Sequence, residues 1–326
     1  MQSRRNIVAG VTLGVFACVL GLFAGVQAGE FKPANRVTLL ITTKPGSNHD
    51  IFSRTLGEAI KQLKPPFTLM MVNKDDGGGA VGNRNVANLR PGSEADNTLL
   101  PFNIGDVPTT VDTTNLTMDD FRQLAGVVSE KHIFYTRSDS RFKTFQDFVD
   151  ALAKEPLVLA GGRGDDIMFF HSVKNGVDKN DNLSSLQTGG TNDTAVQVLG
   201  GHVEVGMGKQ AILTPFIENG DFRPLAVEGD VRLDPPYQDV PTFTELGYPQ
   251  IEFIQTRGIF GSKNMSDEAA AYWSSLILEA GKSEYFKKNY IDKFKASANL
   301  MDSEKATAAY HKAQEDAYAS GFGKKK

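Results

Sequence analysis

Gly77-Gly78-Gly79-Ala80-Val81-Gly82 is the most tempting chemical motif in the chain. It satisfies G-x-G-x-x-G and follows an apolar run, as a loop that brings backbone amides against a dinucleotide pyrophosphate must. Two neighbouring features argue against that use. Asp75 and Asp76 stand directly before the glycines and would repel a pyrophosphate. The acidic ribose ligand that should follow about 20 positions on has no good candidate, because Glu94 and Asp96 fall in a Pro-Gly-Ser turn. A nucleotide-dependent oxidoreductase built on Gly77–Gly82 is therefore the secondary reading. Hydrolytic chemistry has less support: the sequence has no G-x-S-x-G elbow, no H-E-x-x-H and no histidine pair at i, i+4. His132, His171, His202 and His311 read as surface or satisfied core residues. His49 stands apart, between a strand end and a helix start, beside an Asp50 that reads first as a helix cap.

A different device occurs twice. Pro45-Gly46-Ser47-Asn48-His49 and Gly161-Gly162-Arg163-Gly164 are small-residue turns between a strand end and a helix start. Free amides at a helix start, aided by the helix dipole, bind carboxylate or phosphate without a basic side chain. Open α/β sheets place ligands at strand carboxyl ends. Two such loops facing one cleft, through the amides of Ser47–Asp50 and Arg163–Asp166, would grip both ends of a small anion. The same glycines also suit plain tight turns, and the residues alone leave both uses open.

The elements that must hold these loops alternate between short apolar runs and amphipathic stretches, the pattern of a parallel α/β fold. Val37–Thr43 is a strand, and Phe52, Leu56, Ala59, Ile60 and Leu63 fall at helical spacing until Pro65-Pro66. Phe67–Val72 is the next strand and Ala80–Leu89 the next helix. A second block begins near Val128 with a strand at His132–Thr136. Thr144-Phe145-Gln146-Asp147 is a capping box opening a helix that stops before Pro156, and Leu157–Ala160 is a strand. Further strands are expected at Val203–Met207 and Leu225–Val227, with a helix from near Thr194 to Leu199 before the former. Ile251–Phe260 reads as a return strand. Helices are expected over Asp267–Ala280, Glu284–Phe294 and Ser303–Ala317.

The chain has 326 residues, of which 40% are hydrophobic and 23% charged, which describes a globular protein with room for two modest domains. Its start differs in kind. Ser3-Arg4-Arg5 precedes the nearly continuous apolar stretch Ile7–Val26, and Val26-Gln27-Ala28 fits a small-x-small cleavage site. Cleavage after Ala28 would remove Cys18, the only cysteine, leaving no thiolate for catalysis or metal binding. A retained anchor or a lipidated Cys18 is the alternative. Without Arg4 and Arg5 the chain carries 33 basic and 39 acidic residues, a net −6, which argues against a nucleic-acid surface.

The chain resembles the periplasmic solute receptors of tripartite tricarboxylate transporters, the Bug type. Arg36-Val37 through Pro45-Gly46-Ser47-Asn48-His49-Asp50 is similar to the family's strand and P-G-G-G-T-D loop. Asn73 with Gly77–Asn83 resembles its N-x-P-G-A-G-G-x-x-G stretch, which accounts for the false dinucleotide motif. Gly189-Gly190 with Leu199–Gly206, Arg223–Val227, and Pro241–Tyr248 resemble its G-G…L-G-G-x-V-D-V-G, R-x-L-A-V and P-T-x-x-E-x-G-Y signatures. The six segments come in the family's order across nearly all of the chain after residue 28.

The resemblance implies an α/β fold with two lobes of the type II periplasmic binding protein kind, joined by crossing strands, with a ligand cleft between them. It implies residues 1–28 as signal peptide, 29–127 plus 259–326 as one lobe, and 128–258 as the other. It further implies no catalysis, no cofactor, no metal and no nucleic acid. The expected role is a periplasmic, monomeric receptor delivering a small carboxylate to the membrane components of a tripartite transporter. Ser47, Asn48, His49 and Asp50 match the first-lobe loop; Gly162, Gly164, Asp165 and Met168 match a second-lobe G-x-G-S-x-x-H pattern, and Gly190 and Thr191 a nearby turn. Asn103, Arg163, Asp166 and Arg257 complete the candidate set. The departures are chemical: Asp165 and Met168 replace serine and histidine, His49 replaces a small hydroxyl residue, and Arg257 stands where tryptophan is frequent. Asp165 would penalise a ligand carboxylate unless it caps the helix, is neutralised by Arg163 or Arg257, or meets a donor on the ligand. His49 beside a carboxylate is expected either charged or neutral.

Overall fold

A computed structural model describes residues 31–162 and 164–323. The chain runs β1 (Arg36–Ile41), α1 (Asn48–Gln62), β2 (Thr68–Asn73), α2 (Ala80–Ala87), the single turn α3 (Ser93–Asp96), β3 (Thr98–Asn103), α4 (Val107–Thr113) and the long β4 (Phe121–Glu130). It continues through β5 (His132–Arg137), α5 (Phe145–Leu152), β6 (Leu157–Gly161), α6 (Asp165–Val177), β7 (Leu183–Gln187), α7 (Thr191–Leu199), β8 (Val205–Lys209), α8 (Gln210–Glu218) and β9 (Phe222–Val227). After β10 (Gln255–Ser262) come α9 (Asp267–Lys282), α10 (Glu284–Phe286), α11 (Asp292–Phe294), β11 (Ser297–Met301) and α12 (Ser303–Ala319). No helix among the described residues is long and apolar enough to cross a membrane.

Two sheets form. The first has the order β11-β4-β10-β3-β1-β2, with β1 parallel to β2 and β3 and β10 antiparallel to β3 and β4. The second has the order β7-β6-β8-β5-β9, with β6 parallel to β7 and β8. This is the two-lobed α/β architecture expected. The apolar stripe Phe52, Leu56, Ala59 and Ile60 of α1 packs with Trp273 and Ile277 of α9 on one face of the first sheet. A second core runs from Phe102 and Phe260 on its other face to Phe134, Leu159 and Phe169 beneath the second sheet. A third, around Tyr135, Ala195 and Val198, covers the second sheet's far side.

The strands β4 and β10 carry the chain between the sheets and pair with each other: Glu130 lies opposite Gln255 and Val128 opposite Arg257, with a register irregularity between Arg257 and Gly258. Gly258 is required there, because a Cβ would lie 2.3 Å from the Ala125 carbonyl oxygen. β10 begins at Gln255 rather than Ile251, because the Phe253 N–H is taken by the Glu228 carboxylate instead of a ladder partner. The expected helix Glu284–Phe294 is interrupted by a π turn at Lys287–Ile291, which carries Tyr290 onto Glu130. The Thr144–Asp147 capping box forms as read, with both reciprocal bonds present.

Candidate ligand-binding site

Ser47, not Asp50, caps α1: its hydroxyl accepts the Asp50 N–H at 3.2 Å and donates to Thr43 Oγ1 at 2.9 Å. Asp50 instead ties the loop together. Its carboxylate accepts the Gly46 N–H (2.8 Å), Asn73 Nδ2 (2.8 Å) and Arg54 Nε (2.9 Å). Burial pushes its pKa up, but these partners outweigh it and hold it below the ordinary carboxylate value. His49 turns inward. Its Nε2–H donates to the Pro101 carbonyl (3.1 Å), so Nδ1 is the acceptor facing Arg257 Nη1 (3.4 Å). Burial, then the Arg257 charge, lower its pKa to about 4. Of the two states open for His49, the neutral one holds at pH 7, and it adds no positive charge for a ligand. Asn48 is exposed.

Arg257 is 4% exposed and donates from Nη2 to Glu130 Oε2 at 2.9 Å. Burial opposes the charge on Arg257, and Glu130 more than offsets it. Glu130 also accepts the Tyr290 hydroxyl at 3.0 Å.

In the second lobe, Gly164 precedes α6 with φ 67° and serves as its cap residue, so Asp165 and Asp166 occupy the first helical turn, a position the dipole favours for acids. Asp165 is neither a cap nor paired with Arg257. Its Oδ2 meets Lys209 Nζ at 2.5 Å. With its amide nitrogen turned toward the acids, Gln255 donates to Asp165 Oδ2 (3.1 Å) and Glu130 Oε2 (2.9 Å). Asp166 accepts the Gly162 N–H at 2.5 Å and faces His132 Nε2 at 3.0 Å. His132 is a satisfied core residue: wholly buried, stacked on Phe169, its Nδ1 2.8 Å from Glu228 Oε2. Burial and Lys209 press its pKa down, but Glu228, Asp165 and Asp166 overcome them and raise it to about 10. Burial opposes ionisation of Asp165, yet Lys209 and His132 hold it far below the usual carboxylate range. His132, Asp165 and Asp166 offer ligand atoms within 4.8 Å of one another, but Lys209 Nζ lies 2.5 Å from the Asp165 oxygen and 2.6 Å from His132 Nε2. The ammonium stands where a metal would.

Met168 is 3% exposed and belongs to the apolar core, so it has no place in the site. Gly190 opens α7, and Thr191 packs on Gly208 of β8 while accepting the Lys209 N–H at 3.3 Å. Arg163 lies outside the described residues.

The two predicted loops border different cavities. Gly164 and Asp165 line one of about 260 Å³, with Thr42, Thr43, Gly78 and Asn103 of the first lobe. Asn48 lines another of about 160 Å³, with Glu130, Lys209 and Tyr290. The Asp165–Lys209 pair stands between them, acid on one side and ammonium on the other. Lys209, Glu228 and Glu130 are the side chains here that the sequence did not single out, while His132 keeps the satisfied-core reading. Beside the larger cavity the lobes meet closely: a Cβ on Gly105 would lie 2.8 Å from the Asp165 Cβ and N. Asp106 lines the same cavity, and burial, reinforced by Asp165 against Arg257, raises its pKa to about 7. The Gly77–Gly79 turn has positive φ throughout, and Gly79 sits where a Cβ would be 2.7 Å from the Thr42 carbonyl oxygen. The left-handed backbone at all three and the close approach of Gly79 to Thr42 account for those glycines without a nucleotide.

Two α/β lobes with loops meeting at strand carboxyl ends define a solute-binding fold. The family described as the tripartite tricarboxylate transporter family receptor (TctC) matches residues 53–301, and the chain belongs to it. It is a family of receptors, and the oxidoreductase reading falls with that. A TctC solute-binding protein from Polaromonas, without ligand, superposes with TM-score 0.74 at 18% identity, covering 89% of this chain and 98% of that one. The periplasmic binding protein BugD gives 0.67 at 18%, covering 88% and 97%. MatC from Rhodopseudomonas palustris, with bound malate, gives 0.63 at 18%, covering 87% and 97%. No curated protein is similar enough to count as a match.

Proposed function

We propose that this receptor captures a small carboxylate-bearing molecule in the cavity of about 260 Å³ and delivers it to the membrane components of a tripartite transporter. One observation carries the reading. That cavity is bounded by the carboxyl ends of β1 and β3 in one sheet and by the start of α6, which follows β6 of the other, where open α/β sheets take ligands. The relative with bound malate supports the ligand class. The chain acts as a monomer in the periplasm after cleavage at Ala28. Its lobes, 29–127 with 259–326 and 128–258, close about the crossings at Val127–Glu130 and Gln255–Gly258. Within the site, Gly164, Asp165 and Asn103 border the ligand, while Ser47, His49, Asp50 and Arg257 set the shape of the first-lobe wall.

The test is thermal unfolding of the chain from residue 29 with mono- and dicarboxylates. A ligand at 100 times its Kd stabilises by about 2.7 kcal/mol, a rise of roughly 5 °C or more for a protein of this size. The ligand is recovered unchanged. A flat response to every acid at millimolar concentration refutes the proposal.

A further inference from the structure

The cavity of about 260 Å³ is lined by threonine, asparagine and acid, and among the described residues by no lysine, arginine or histidine. Two cations near Asp165 are already paired, Lys209 with Asp165 and Arg257 with Glu130, and Arg84 is held on the Thr113 and Thr114 carbonyls. Behind Asp165, three carboxylates (Asp165, Asp166 and Glu228) face two cations, His132 and Lys209. The wall thus keeps an excess of negative charge. Two of the lining threonines have no hydroxyl proton left to offer a ligand. Thr113 and Thr114 spend their hydroxyl protons on the carbonyls of Thr109 and Thr110, at 2.7 and 2.5 Å. Asn83, 6% exposed, has a buried amide oxygen with no partner, while its nitrogen reaches Thr110 Oγ1 only at 3.4 Å. A buried acceptor without a donor is costly, and native structures leave few of them.

Resting on the receptor reading above, we propose that the part of the ligand reaching Asn83, Asp106 and Thr110 carries a hydrogen-bond donor, a hydroxyl or an ammonium group, and not a second carboxylate. A donor there meets the Asp106 carboxyl and the Thr110 hydroxyl oxygen that border the cavity. An ammonium also meets the two acids, Asp106 and Asp165, that border the cavity. A carboxylate meets the same acids without a counter-ion.

The experiment is calorimetric titration of the chain from residue 29 with four straight-chain acids differing only in the far terminus: butyrate, gamma-hydroxybutyrate, gamma-aminobutyrate and succinate. The same four termini are repeated on backbones one carbon shorter and one and two carbons longer. The hydroxyl or amine member binds tightest, by on the order of tenfold over both the methyl and the carboxylate members. Asp106→Asn, which preserves shape, removes the advantage of the amine member and leaves the hydroxyl member nearly unchanged if the natural donor is a hydroxyl. Thr110→Val weakens both donor-bearing members and spares the methyl one. Tightest binding of the diacid overturns the proposal, the more so if Arg163→Ala abolishes it, because Arg163 would then supply the missing charge. That outcome leaves the carboxylate receptor standing. Binding by no member at any length overturns that receptor reading too.

Discussion

Glu228→Gln tests the buried network that fixes the start of α6. Glu228 is wholly buried and accepts both the His132 backbone N–H (2.9 Å) and Nδ1 (2.8 Å). It is the largest influence raising the His132 pKa from 6.5 to about 10. The isosteric amide keeps an acceptor oxygen and removes the charge. Breaking one partner of a buried pair costs about 3–5 kcal/mol, so the variant should melt roughly 6–15 °C lower near neutral pH. The pH sign follows from linkage. His132 is raised in the folded state, so its contribution is complete below the unfolded value of 6.5 and is lost as pH rises through about 10. The stability gap between wild type and variant should therefore be widest near pH 6 and narrow steadily toward pH 10. Urea unfolding across that window measures the gap, and NMR titration of the His132 ring reports its protonation. A wild-type ring that titrates near 6.5, or a cost below about 1 kcal/mol independent of pH, would refute the reasoning.

Gly105→Ala sets a methyl 2.8 Å from Asp165, so ligand affinity should fall on the order of tenfold while the unliganded melting temperature changes little; unchanged affinity means the lobes need not meet there. Lys209→Met vacates the space between His132, Asp165 and Asp166, and Zn²⁺ should then raise the melting temperature of the variant but not of the wild type. Asp106 is raised to about 7, so it destabilises the fold progressively as pH climbs from its unfolded value near 3.8 toward 7; Asp106→Asn should flatten that decline in a pH series of denaturant melts.

Much of the fold was legible because local chemistry decides it. The apolar period of α1, the proline pair after it and the Thr144–Asp147 box each act within a few residues, and each appears as read. Ser47 and Asp50 are both capping residue types three positions apart, and only the packing of Asn73 and Arg54 around Asp50 leaves the cap of α1 to Ser47. The motif places Met168 in the site, whereas its apolar side chain follows the buried face of α6. The charge network was not legible. His132 meets Asp166 across 34 residues, Lys209 across 77 and Glu228 across 96. No periodicity relates residues so far apart, and Lys209 sits two positions past the apolar run that marked its strand.

The charges near the cleft divide by lobe. Arg257, Glu130, His49 and Tyr290 form one group on the first sheet and its crossings. Asp165, Lys209, His132, Asp166 and Glu228 form another within the second lobe. Each cation therefore has its carboxylate partner within its own group. What joins the groups is lighter: the Gln255 amide between Glu130 and Asp165, and the close backbone approach of Gly105 to Asp165. Separating the lobes at the cleft gives up a neutral-donor hydrogen bond and some packing, and leaves every buried ion pair intact. Since breaking a buried pair costs about 3–5 kcal/mol and a hydrogen bond to a charged group about 1.5–3 kcal/mol, this partition lets the cleft open without exposing an uncompensated charge. A ligand that bridges the lobes has correspondingly little to outweigh. His49 and Asp165 fit the same partition: each has its ionic or hydrogen-bond partner within its own group, Arg257 for His49 and Lys209 for Asp165.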